Sequence, residues 1–313
     1  DGPSALRNTI STRSSAIPTN IVAHNLTDIE RQRIRIALIE DGGKGDVTTA
    51  ATIAEGATGV GTLLAKADGV LAGLDYARHA FLLFEVQKGI SSPLFEFREL
   101  LQDGTRVKKG DAIATVKADL HTLLGAERVA LNLLQRMSGI ATMTRTFVDA
   151  VAGTKAVILD TRKTAPLLRP FDRYAVRLGG GQNHRYSLGD MILVKDNHIA
   201  ANGGDIRQTV ARIEEYFADP EHERVPVELE VTTLEQLAEL LACGKGIVDR
   251  VMFDNFPVDR MREAVKLNDG LFQTEASGGV TLATVRDIAE TGVDYISVGA
   301  LTHSVIGLDI SFE

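Results

Sequence analysis

The sequence contains a single cysteine, Cys243, among 313 residues. One thiol cannot form an internal disulfide, and it excludes a cysteine-based metal cluster. Cys243 lies in LAELLACG, an apolar helical pattern, and we interpret it as a buried structural thiol and not as a nucleophile. The sequence also lacks the GK[ST] element of a Walker loop and any His and Cys residues at zinc-ligand spacing. These absences exclude several common kinds of nucleotide and metal site.

Positive charge and long apolar runs are also scarce. The formal net charge is −8, so we expect no general nucleic-acid or membrane-surface partner, because such partners require a basic face. No apolar run approaches about 18 residues, so no bilayer-spanning helix is expected. The chain has 44% hydrophobic and 24% charged residues, which is typical of a soluble globular protein. An anionic ligand would therefore need a local basic pocket.

Composition and pattern divide the chain into three parts. Residues 1–26 are rich in Ser, Thr and Asn, with no acid between Asp1 and Asp28, which predicts a flexible tail or the remnant of a targeting peptide. Residues 27–130 show mixed helix and strand patterns and predict a small α+β domain. Residues 131–313 carry the pattern of a larger domain. We expect a cytoplasmic protein if the first part is only a tail, and a plastid or other organellar one if it is a targeting remnant.

The larger domain alternates short apolar runs with amphipathic stretches. Six runs predict strands: AVILD (156–160), MILVK (191–195), VELEV (227–231), RVMFD (250–254), FQTEA (272–276) and YISVG (295–299). Strands that are apolar throughout and separated by helical patterns indicate a parallel sheet covered on both faces. The predicted fold class is α/β, with a barrel of β/α units.

Polar and charged residues follow these strands at their carboxyl ends. They are Asp160 through Lys163, Lys195 through Asn197, Glu230, Asp254 and Asn255, Glu275 through Gly279, and Gly299 through His303. Active sites of β/α barrels are built at that end of the strands. Such residues can also be helix caps or turn formers, as Thr281 and Asp259 would be. Capping accounts poorly for strands that end in Glu, Lys or Arg, so we favour an active site.

The segment from Asp160 to His198 is basic within an acidic chain. It has seven Lys or Arg residues against four acids, a local excess of three positive charges. Arginine binds carboxylates and phosphates through paired hydrogen bonds, and lysine acts as a point charge. The segment therefore predicts a pocket for a ligand with several negative charges. Arg169, Arg173 and Arg177 are also compatible with a solvated helix face, and the sequence does not decide between the two.

Two small-residue turns and two carboxylates complete the predicted site. EASGGVT (275–281) and SVGALTHS (297–304) each precede a predicted helix, where free backbone N–H groups can hold a phosphate. Tight-turn geometry alone is the alternative for these glycines. Glu230 and Asp254 end neighbouring strands, and hard oxygen ligands together with substrate phosphates commonly hold Mg²⁺. A general acid/base pair, or a structural pair with lysines, is the alternative for the two carboxylates.

Six motifs in order carry a resemblance to a known family. They are DTRKTAP, GGGQNHRYSLGDMILVKDNHI, ELEV, FDN, EASGGV and ISVGALTHS, preceded by GKGDVTT and GAERVALNLLQRMSGIAT. Together they resemble quinolinate phosphoribosyltransferases from about residue 30 to the end of the chain. The resemblance implies an N-terminal open sandwich and an incomplete, TIM-like β/α barrel of the type II phosphoribosyltransferase class. It also implies that the last residues return to the N-terminal domain.

The resemblance implies an activity and an assembly as well. Quinolinate and phosphoribosyl pyrophosphate would give nicotinate mononucleotide, pyrophosphate and CO₂, with Mg²⁺ as the cofactor. The enzyme would be a homodimer in which the N-terminal domain of one subunit covers the barrel mouth of its partner. The expected partners are therefore two small-molecule substrates and a second copy of the chain.

The family's site residues carry over onto matching positions of this sequence. Quinolinate would be bound by Arg162, Lys163, His184, Arg185 and Lys195, with Arg128 reaching in from the partner subunit. Ribose and phosphate would be bound by Glu230, Asp254, Ser277, Gly278, Gly279, Gly299 and His303. Catalysis would involve Lys163, Lys195, Glu230 and Asp254, of which Glu230 and Asp254 would also hold Mg²⁺. Arg128 lies in a mostly apolar helix, where an unpaired charge is costly.

Two departures from the family pattern and three rival functions stay open. Leu167 stands where we expect glycine, and Asp172 and Arg173 stand where an acidic residue followed by lysine is usual. The resemblance therefore does not define the loop after Arg162. A barrel strand that ends in Lys195 is also compatible with a Schiff-base aldolase. The other rivals are a homologue that binds quinolinate without turnover and a phosphoribosyltransferase for another anionic heterocycle.

Overall fold

The structure, a computed structural model, describes residues 25–43, 45–87 and 95–313. Most of the predicted tail over residues 1–26 lies outside the described residues, but Leu26 is 2% exposed and belongs to the hydrophobic core. Within the described ranges, no helix combines the length and the apolar character that a membrane crossing requires.

The described residues form eleven helices and twelve strands. The helices are α1 (Asp28–Gly42), α2 (Val47–Thr52), α3 (Leu74–Gln87), α4 (Leu120–Ala150), α5 (Arg169–Leu178), α6 (Asp196–Ala201), α7 (Ile206–Ala218), α8 (Leu234–Cys243), α9 (Val258–Asn268), α10 (Val285–Ala289) and α11 (Ala300–His303). The strands are β1 (Thr58–Ala65), β2 (Gly69–Val70), β3 (Glu96–Glu99), β4 (Arg106–Val107), β5 (Ala112–Asp119), β6 (Val157–Leu159), β7 (Ile192–Val194), β8 (Val227–Val231), β9 (Arg250–Asp254), β10 (Gln273–Ser277), β11 (Tyr295–Ser297) and β12 (Ile310–Phe312).

The N-terminal domain is built on a four-stranded antiparallel sheet in the order β12-β1-β5-β3. Helix α4 packs on β1 and β5, and along the second half of β1 every other residue is buried, as expected for a strand with one face on a core. Strand β12, from the end of the chain, pairs with β1. There the ring of Phe312 covers Gly61, where a Cβ would lie 2.1 Å from Phe312 Cζ. The last strand therefore belongs to the N-terminal sheet.

The larger domain contains a six-stranded sheet in the order β6-β11-β10-β9-β8-β7, in which every neighbouring pair is parallel. The six predicted strands are confirmed, each within two residues of its predicted bounds. All five residues of β8 are buried, as expected for a sheet covered on both faces. Leu159 also bridges Gln182, but no strand in the described ranges joins this edge to β7. The barrel is therefore incomplete, as predicted.

Helix α4 links the two domains. Its 31 residues pack against α3 of the N-terminal domain and against α5 of the barrel, and the predicted boundary at residue 130 falls inside it. Near its middle, Gly139 approaches the chain so closely that a Cβ would lie 2.1 Å from the Ile306 carbonyl oxygen. The segment after α11 is thereby held against α4.

The glycine run at 179–181 packs against α4 as well. A Cβ on Gly179 would lie 2.5 Å from Thr144 Cβ. Because the glycines carry no side chains, the run can lie close to α4. Gln182, which follows the run, then forms a backbone bridge with Leu159 of β6. The glycines therefore serve packing, and the segment that begins at Asn183 starts beside β6, at the edge of the sheet.

Cys243, at the end of α8, was predicted to be buried. In the structure it is only half-buried. Its thiol donates to the Glu239 carbonyl oxygen at 3.2 Å. Burial raises the pKa of the thiol, which disfavours the thiolate that a nucleophile requires.

Candidate active site

A cavity of about 550 Å³ opens at the carboxyl ends of the barrel strands. Nine of the residues that line it were predicted as binding or catalytic residues: Arg162, Lys163, His184, Arg185, Lys195, Asp254, Ser277, Gly278 and Gly279. Thr161, Asn255 and Glu275 were predicted only as polar residues at strand ends, and the other lining residues are Leu193, Met252 and Ser297. The cavity thus gathers side chains from five strands and from the segment that follows the glycine run.

Three further predicted residues adjoin residues that line this cavity. Glu230 accepts a hydrogen bond from Lys195 Nζ at 2.9 Å. A Cβ on Gly299 would lie 3.2 Å from Lys163 Cδ and 3.1 Å from His303 Cδ2, so these three residues are close neighbours. The phosphate-binding residues predicted after β11 therefore meet the basic residues predicted after β6.

Arg128 does not line the cavity of its own chain. Its side chain is 59% exposed, and Glu127, the acid beside it, is 4.0 Å away. The expectation of a costly charge inside an apolar helix is therefore wrong for the single chain, because the side chain faces solvent. A contact with a partner subunit, the role predicted for Arg128, requires such a surface position.

Alternation along the barrel strands explains which side chains reach the cavity. Successive side chains of a strand point to opposite faces, so residues two apart share a face. Four such pairs line or adjoin the cavity: Leu193 with Lys195, Met252 with Asp254, Glu275 with Ser277, and Ser297 with Gly299. The apolar residues Leu193 and Met252 were missed in the sequence, although this alternation was the signal that could have found them.

Asp160, at the end of β6, orders the backbone of the 183–185 segment. It is fully buried and accepts hydrogen bonds from the His184 backbone N–H at 2.7 Å and the Asn183 side-chain amide at 2.6 Å. Arg173 Nη1 lies 3.5 Å from it. Burial raises the pKa of Asp160, and the charge of Arg173 opposes that shift. With its oxygens used in this way, Asp160 shapes the site and does not bind a ligand.

Helix α5 carries the three arginines that the sequence left undecided. The Arg173 side chain is 12% exposed and donates to the His184 carbonyl oxygen at 2.7 Å. Arg169 donates to the Tyr186 carbonyl oxygen at 2.9 Å. Both hold the segment after the glycine run, so the solvated-face interpretation is wrong for Arg173. Arg177 is exposed, as that interpretation expected.

Three cations in the cavity form no ion pair within the described part of the chain. No carboxylate there lies within 4.0 Å of the charged nitrogens of Arg162, Lys163 or Arg185, although the more distant Glu228 and Asp190 act electrostatically on Arg185. Arg185 donates to the Met191 carbonyl oxygen at 3.0 Å, and Arg162 Nε is buried without a hydrogen-bond partner. Burial, followed by the charge of Arg162, lowers the pKa of Arg185. Like charges held this way repel unless an anion lies between them, so the arrangement indicates a polyanionic ligand.

His184 contacts the cavity, but both of its ring nitrogens are hydrogen-bonded within the protein. Nδ1 accepts a bond from the Arg185 backbone N–H at 2.7 Å, so the proton of the neutral ring is on Nε2. Nε2 donates to Glu228 Oε2 at 2.9 Å. Burial lowers the pKa of His184, which favours the neutral ring. His184 therefore presents ring atoms other than its nitrogens to a ligand.

Behind His184 lies a buried group of charges that was not predicted. Glu228 and Glu275 are fully buried, and Arg250 donates to Glu275 Oε2 at 2.8 Å. Burial raises the pKa of each glutamate to about 7. Within the described ranges the Oε1 atoms of the two glutamates have no hydrogen-bond partner. A proton on one carboxyl would let it donate to the other, so we interpret the pair as sharing a proton. The ligand atoms of these glutamates and His184 lie within 4.8 Å of one another, but Arg250 already supplies a cation there.

The Glu228 and Glu275 pair should make folding stability fall as the pH rises. Each pKa is about 7 in the fold against 4.5 as the ordinary value, so the folded state binds more protons between them. The stabilising contribution is full below about pH 4.5 and is lost as the pH rises through about 7, at about 1.4 kcal/mol per pH unit for the one shared proton. Urea unfolding at about pH 5.5 and about pH 7.5 should show a weaker pH dependence for Glu275→Gln than for the wild type. An equal dependence would contradict the shared proton, and Glu235→Gln on the surface is the control.

Comparison with known proteins decides the family. A model of the quinolinate phosphoribosyl transferase C-terminal domain matches residues 140–313, and a model of the N-terminal domain matches residues 46–138. This chain belongs to the quinolinate phosphoribosyltransferase family. The two matches meet inside α4, the helix that both domains share.

Individual quinolinate phosphoribosyltransferase relatives resemble the chain over nearly its whole length. A mitochondrial quinolinate phosphoribosyltransferase (decarboxylating) of Nicotiana tabacum is 42% identical over 318 residues, covering 97% of this chain and 87% of that protein. A nicotinate-nucleotide pyrophosphorylase (carboxylating) of Mycobacterium leprae is 45% identical over 292 residues, covering 91% of this chain and 97% of that protein. The crystal structure of NadC from Streptococcus pyogenes superposes with a TM-score of 0.84 at 37% identity, covering 93% and 98% of the two chains. This likeness confirms the fold class.

Asn255, predicted only as a polar residue at the end of a strand, lines the cavity of this family member. It has a φ of 54° and donates from Nδ2 to Asp254 Oδ2 at 2.8 Å. Gly278 has a φ of 92°, and a Cβ there would lie 2.3 Å from Asn255 Oδ1. Gly278 is thus required by conformation and by space, and the contact lets Asn255 orient the Asp254 carboxylate.

Leu167, where a quinolinate phosphoribosyltransferase was expected to have glycine, has a φ of 65° and is 66% exposed. A left-handed conformation costs a non-glycine residue about 1–2 kcal/mol. Leu167→Gly should remove that strain. Glycine also gives the unfolded chain more conformational entropy, which costs about 0.5–1 kcal/mol of stability, so a net stabilisation of about 0.5–1 kcal/mol is expected. Leu168→Gly, whose φ is −96°, should only destabilise. Urea unfolding of both variants measures the difference, and destabilisation by Leu167→Gly would mean that the strain is absent.

Proposed function

We propose that this chain transfers the phosphoribosyl group of phosphoribosyl pyrophosphate to the ring nitrogen of quinolinate. The 2-carboxylate leaves as CO₂, and the products are nicotinate mononucleotide and pyrophosphate, a step of de novo NAD synthesis. The observation that carries the proposal is the unpaired set of Arg162, Lys163 and Arg185 in a cavity of about 550 Å³. Quinolinate has two carboxylates, and the sugar substrate has a phosphate and a pyrophosphate. A cationic pocket is what such a pair of ligands requires.

Quinolinate would lie between the free cations and an apolar wall. Arg162 and Arg185 offer guanidinium groups to its two carboxylates, and Leu193 and Met252 offer apolar contact to the faces of the pyridine ring. His184, whose nitrogens are used within the protein, would contribute by contact and not by a hydrogen bond. This combination of a few placed charges with apolar walls is usual for small-molecule sites.

The sugar phosphate would bind on the side of β10 and β11. In the described residues, the backbone N–H groups of Gly278 and Gly279 donate to no protein acceptor. Both glycines have positive φ, and such turns expose successive N–H groups to an anion. Gly299 and His303, at the two ends of α11, would complete the phosphate site together with Ser277.

Glu230 and Asp254 have the donor chemistry that suits Mg²⁺. Both are carboxylates at the ends of paired strands, and Val231 is in register with Phe253. Mg²⁺ is commonly held by one or two carboxylates together with substrate phosphates and water. When bound, it would neutralise charge on the departing pyrophosphate. Glu230 Oε2 and Asp254 Oδ2 already accept bonds from Lys195 and Asn255, which would fix the directions of the two carboxylates.

The chain's own residues would act mainly by position and charge. As the bond to pyrophosphate breaks, positive charge develops on the ribose, and Glu230 and Asp254 are the carboxylates placed to stabilise it. Attack by the ring nitrogen makes a pyridinium, whose positive charge stabilises the carbanion left at C2 when CO₂ departs, and this carbanion then takes up a proton at C2. Lys163 and Lys195 would hold the carboxylates in the orientation that these steps need.

The aldolase alternative fits the geometry of Lys195 poorly. Its Nζ donates to Glu230 Oε2 at 2.9 Å. The ion pair occupies the amine that would have to attack a substrate carbonyl to form a Schiff base. The alternative also leaves Arg162 and Arg185 without a ligand.

We also propose that the active unit is a homodimer. Arg128 is 59% exposed and does not line its own cavity, so it is available to the site of a partner subunit. The compartment stays a prediction, either cytoplasm or a plastid or other organelle. The Nicotiana tabacum relative is named mitochondrial, and an Arabidopsis thaliana nicotinate-nucleotide pyrophosphorylase that is 44% identical is named chloroplastic.

The deciding experiment measures CO₂ release from quinolinate labelled in its 2-carboxylate. Release should require both phosphoribosyl pyrophosphate and Mg²⁺. Binding of quinolinate without release would point to a homologue without turnover, and absence of binding would point to another anionic heterocycle. Trapping of a borohydride-reduced adduct at Lys195 would instead support the aldolase.

A further inference from the structure

Arg136, in the middle of α4, joins three elements around the site without lining the cavity. Its Nε and Nη2 donate to the two carboxylate oxygens of Asp172 at 2.9 and 2.8 Å. Nη2 also donates to the Thr302 carbonyl oxygen at 3.3 Å. Asp172 belongs to the first turn of α5, and Thr302 belongs to α11. One guanidinium group therefore ties α4 to the helix that orders the 183–186 segment and to the helix that carries His303.

Thr302 extends this restraint to the segment after β6. It is 1% exposed, and its Oγ1 donates to the Lys163 carbonyl oxygen at 3.0 Å. The Lys163 side chain lies against Gly299, where a Cβ would be 3.2 Å from Lys163 Cδ. A displacement of Thr302 would therefore move both Lys163 and the start of α11.

The Arg136 and Asp172 pair is suited to fixing a position. The Asp172 side chain is fully buried, and the Arg136 side chain is 25% exposed. Burial raises the pKa of Asp172, and the hydrogen bonds and charge of Arg136 oppose that shift. A paired contact through two nitrogens sets the plane of the guanidinium as well as its distance, which a lysine cannot reproduce.

We propose that Arg136 is a positioning residue, which sets the distance between the phosphate-binding residues around α11 and the quinolinate-binding residues after β6 and at 183–185. The proposal rests on the proposed function, because the two ligands are those of that reaction. Arg173 holds the 183–185 segment independently of Arg136, whereas α11 has four residues and a carbonyl held by Arg136. The loss of Arg136 should therefore affect the phosphate side most.

The test compares two variants of the full chain, Arg136→Lys and Leu38→Ala. Arg136→Lys keeps the charge but cannot reproduce the paired contact with both Asp172 oxygens. Leu38 is buried in α1, which packs against α3 and α4, and its truncation lowers stability. Calorimetric titration with ribose 5-phosphate, below the unfolding temperature of both, should show a Kd raised about tenfold for Arg136→Lys and less than about twofold for Leu38→Ala. In Arg136→Lys, the KM for phosphoribosyl pyrophosphate should rise more than the KM for quinolinate.

Asp172→Asn removes the same pair from the other side and should reproduce the effect of Arg136→Lys. Equal ribose 5-phosphate affinities in Arg136→Lys and Leu38→Ala would overturn the positioning role. If the wild type releases CO₂, that result would leave the proposed function intact. A wild type that neither releases CO₂ nor binds ribose 5-phosphate would overturn the proposed function, and the role of Arg136 with it.

Discussion

Replacement of Arg162 by alanine should raise the KM for quinolinate by about 10²–10³-fold, while the KM for phosphoribosyl pyrophosphate changes by less than about tenfold. Arg162 lines the cavity, and no carboxylate of the described residues forms an ion pair with it, so its charge is available to a ligand. Removal of one partner from a desolvated, hydrogen-bonded charge pair costs about 3–4 kcal/mol, and about 1.4 kcal/mol corresponds to a factor of ten. Steady-state kinetics with each substrate varied in turn measures both constants.

Lys155→Ala is the matched control for this variant. Lys155 precedes β6 and Arg162 follows it, so both substitutions remove a cation beside the same strand. Lys155 forms an exposed ion pair with Asp294 at 2.7 Å, and pairs of that kind contribute about 0–1 kcal/mol. Its kinetic constants should match the wild type. Equal losses for both substrates in Arg162→Ala would contradict the assignment of Arg162 to quinolinate.

The barrel strands could be predicted because each is a short apolar run that ends abruptly in a charged or small residue. Parallel strands end at one edge of a sheet, so the same change of character that ends a strand also places its next residues at the cavity. Lys195 and Asp254 were found for this reason. Leu193 and Met252 lie two residues earlier on the same faces, and the period of the strand would have included them.

Contacts between distant residues could not be predicted in this way. His184 meets Glu228 across 44 positions, and Arg136 meets Asp172 across 36. Such pairs depend on how helices and strands are placed in space, which local patterns do not describe. A partial signal existed in VELEV, because a glutamate near the start of a strand that is covered on both faces needs a buried partner. That signal indicates that Glu228 has a partner without identifying His184.

The loop after Arg162 shows what a resemblance can add to local patterns. Glycine was expected at position 167, and the structure has a φ of 65° there. The backbone conformation typical of glycine is therefore kept, although the residue is leucine. Neither composition nor hydrophobic period carries information about a single left-handed residue in a loop.

An equimolar mixture of inactive Arg128→Ala and inactive Lys195→Ala subunits should recover about a quarter of the wild-type activity. In a symmetric dimer with shared sites, each site combines Lys195 of one subunit with Arg128 of the partner subunit. A mixed dimer then has one intact site and one site that lacks both side chains. Random exchange makes about half of the dimers mixed, so about a quarter of all sites are intact. Turnover after exchange, with exchange confirmed by two different tags, measures this fraction.

A mixture of Lys195→Ala with Arg162→Ala subunits is the control for this experiment, assayed at a quinolinate concentration far below the KM of Arg162→Ala. Both residues line the cavity of the same chain, so every site in a mixed dimer lacks one of them and no activity should return. Recovery in this control would contradict the single-chain cavity. Absence of recovery with Arg128→Ala, once exchange is confirmed, would instead contradict the shared sites, because Arg128 is exposed and does not line the cavity of its own chain.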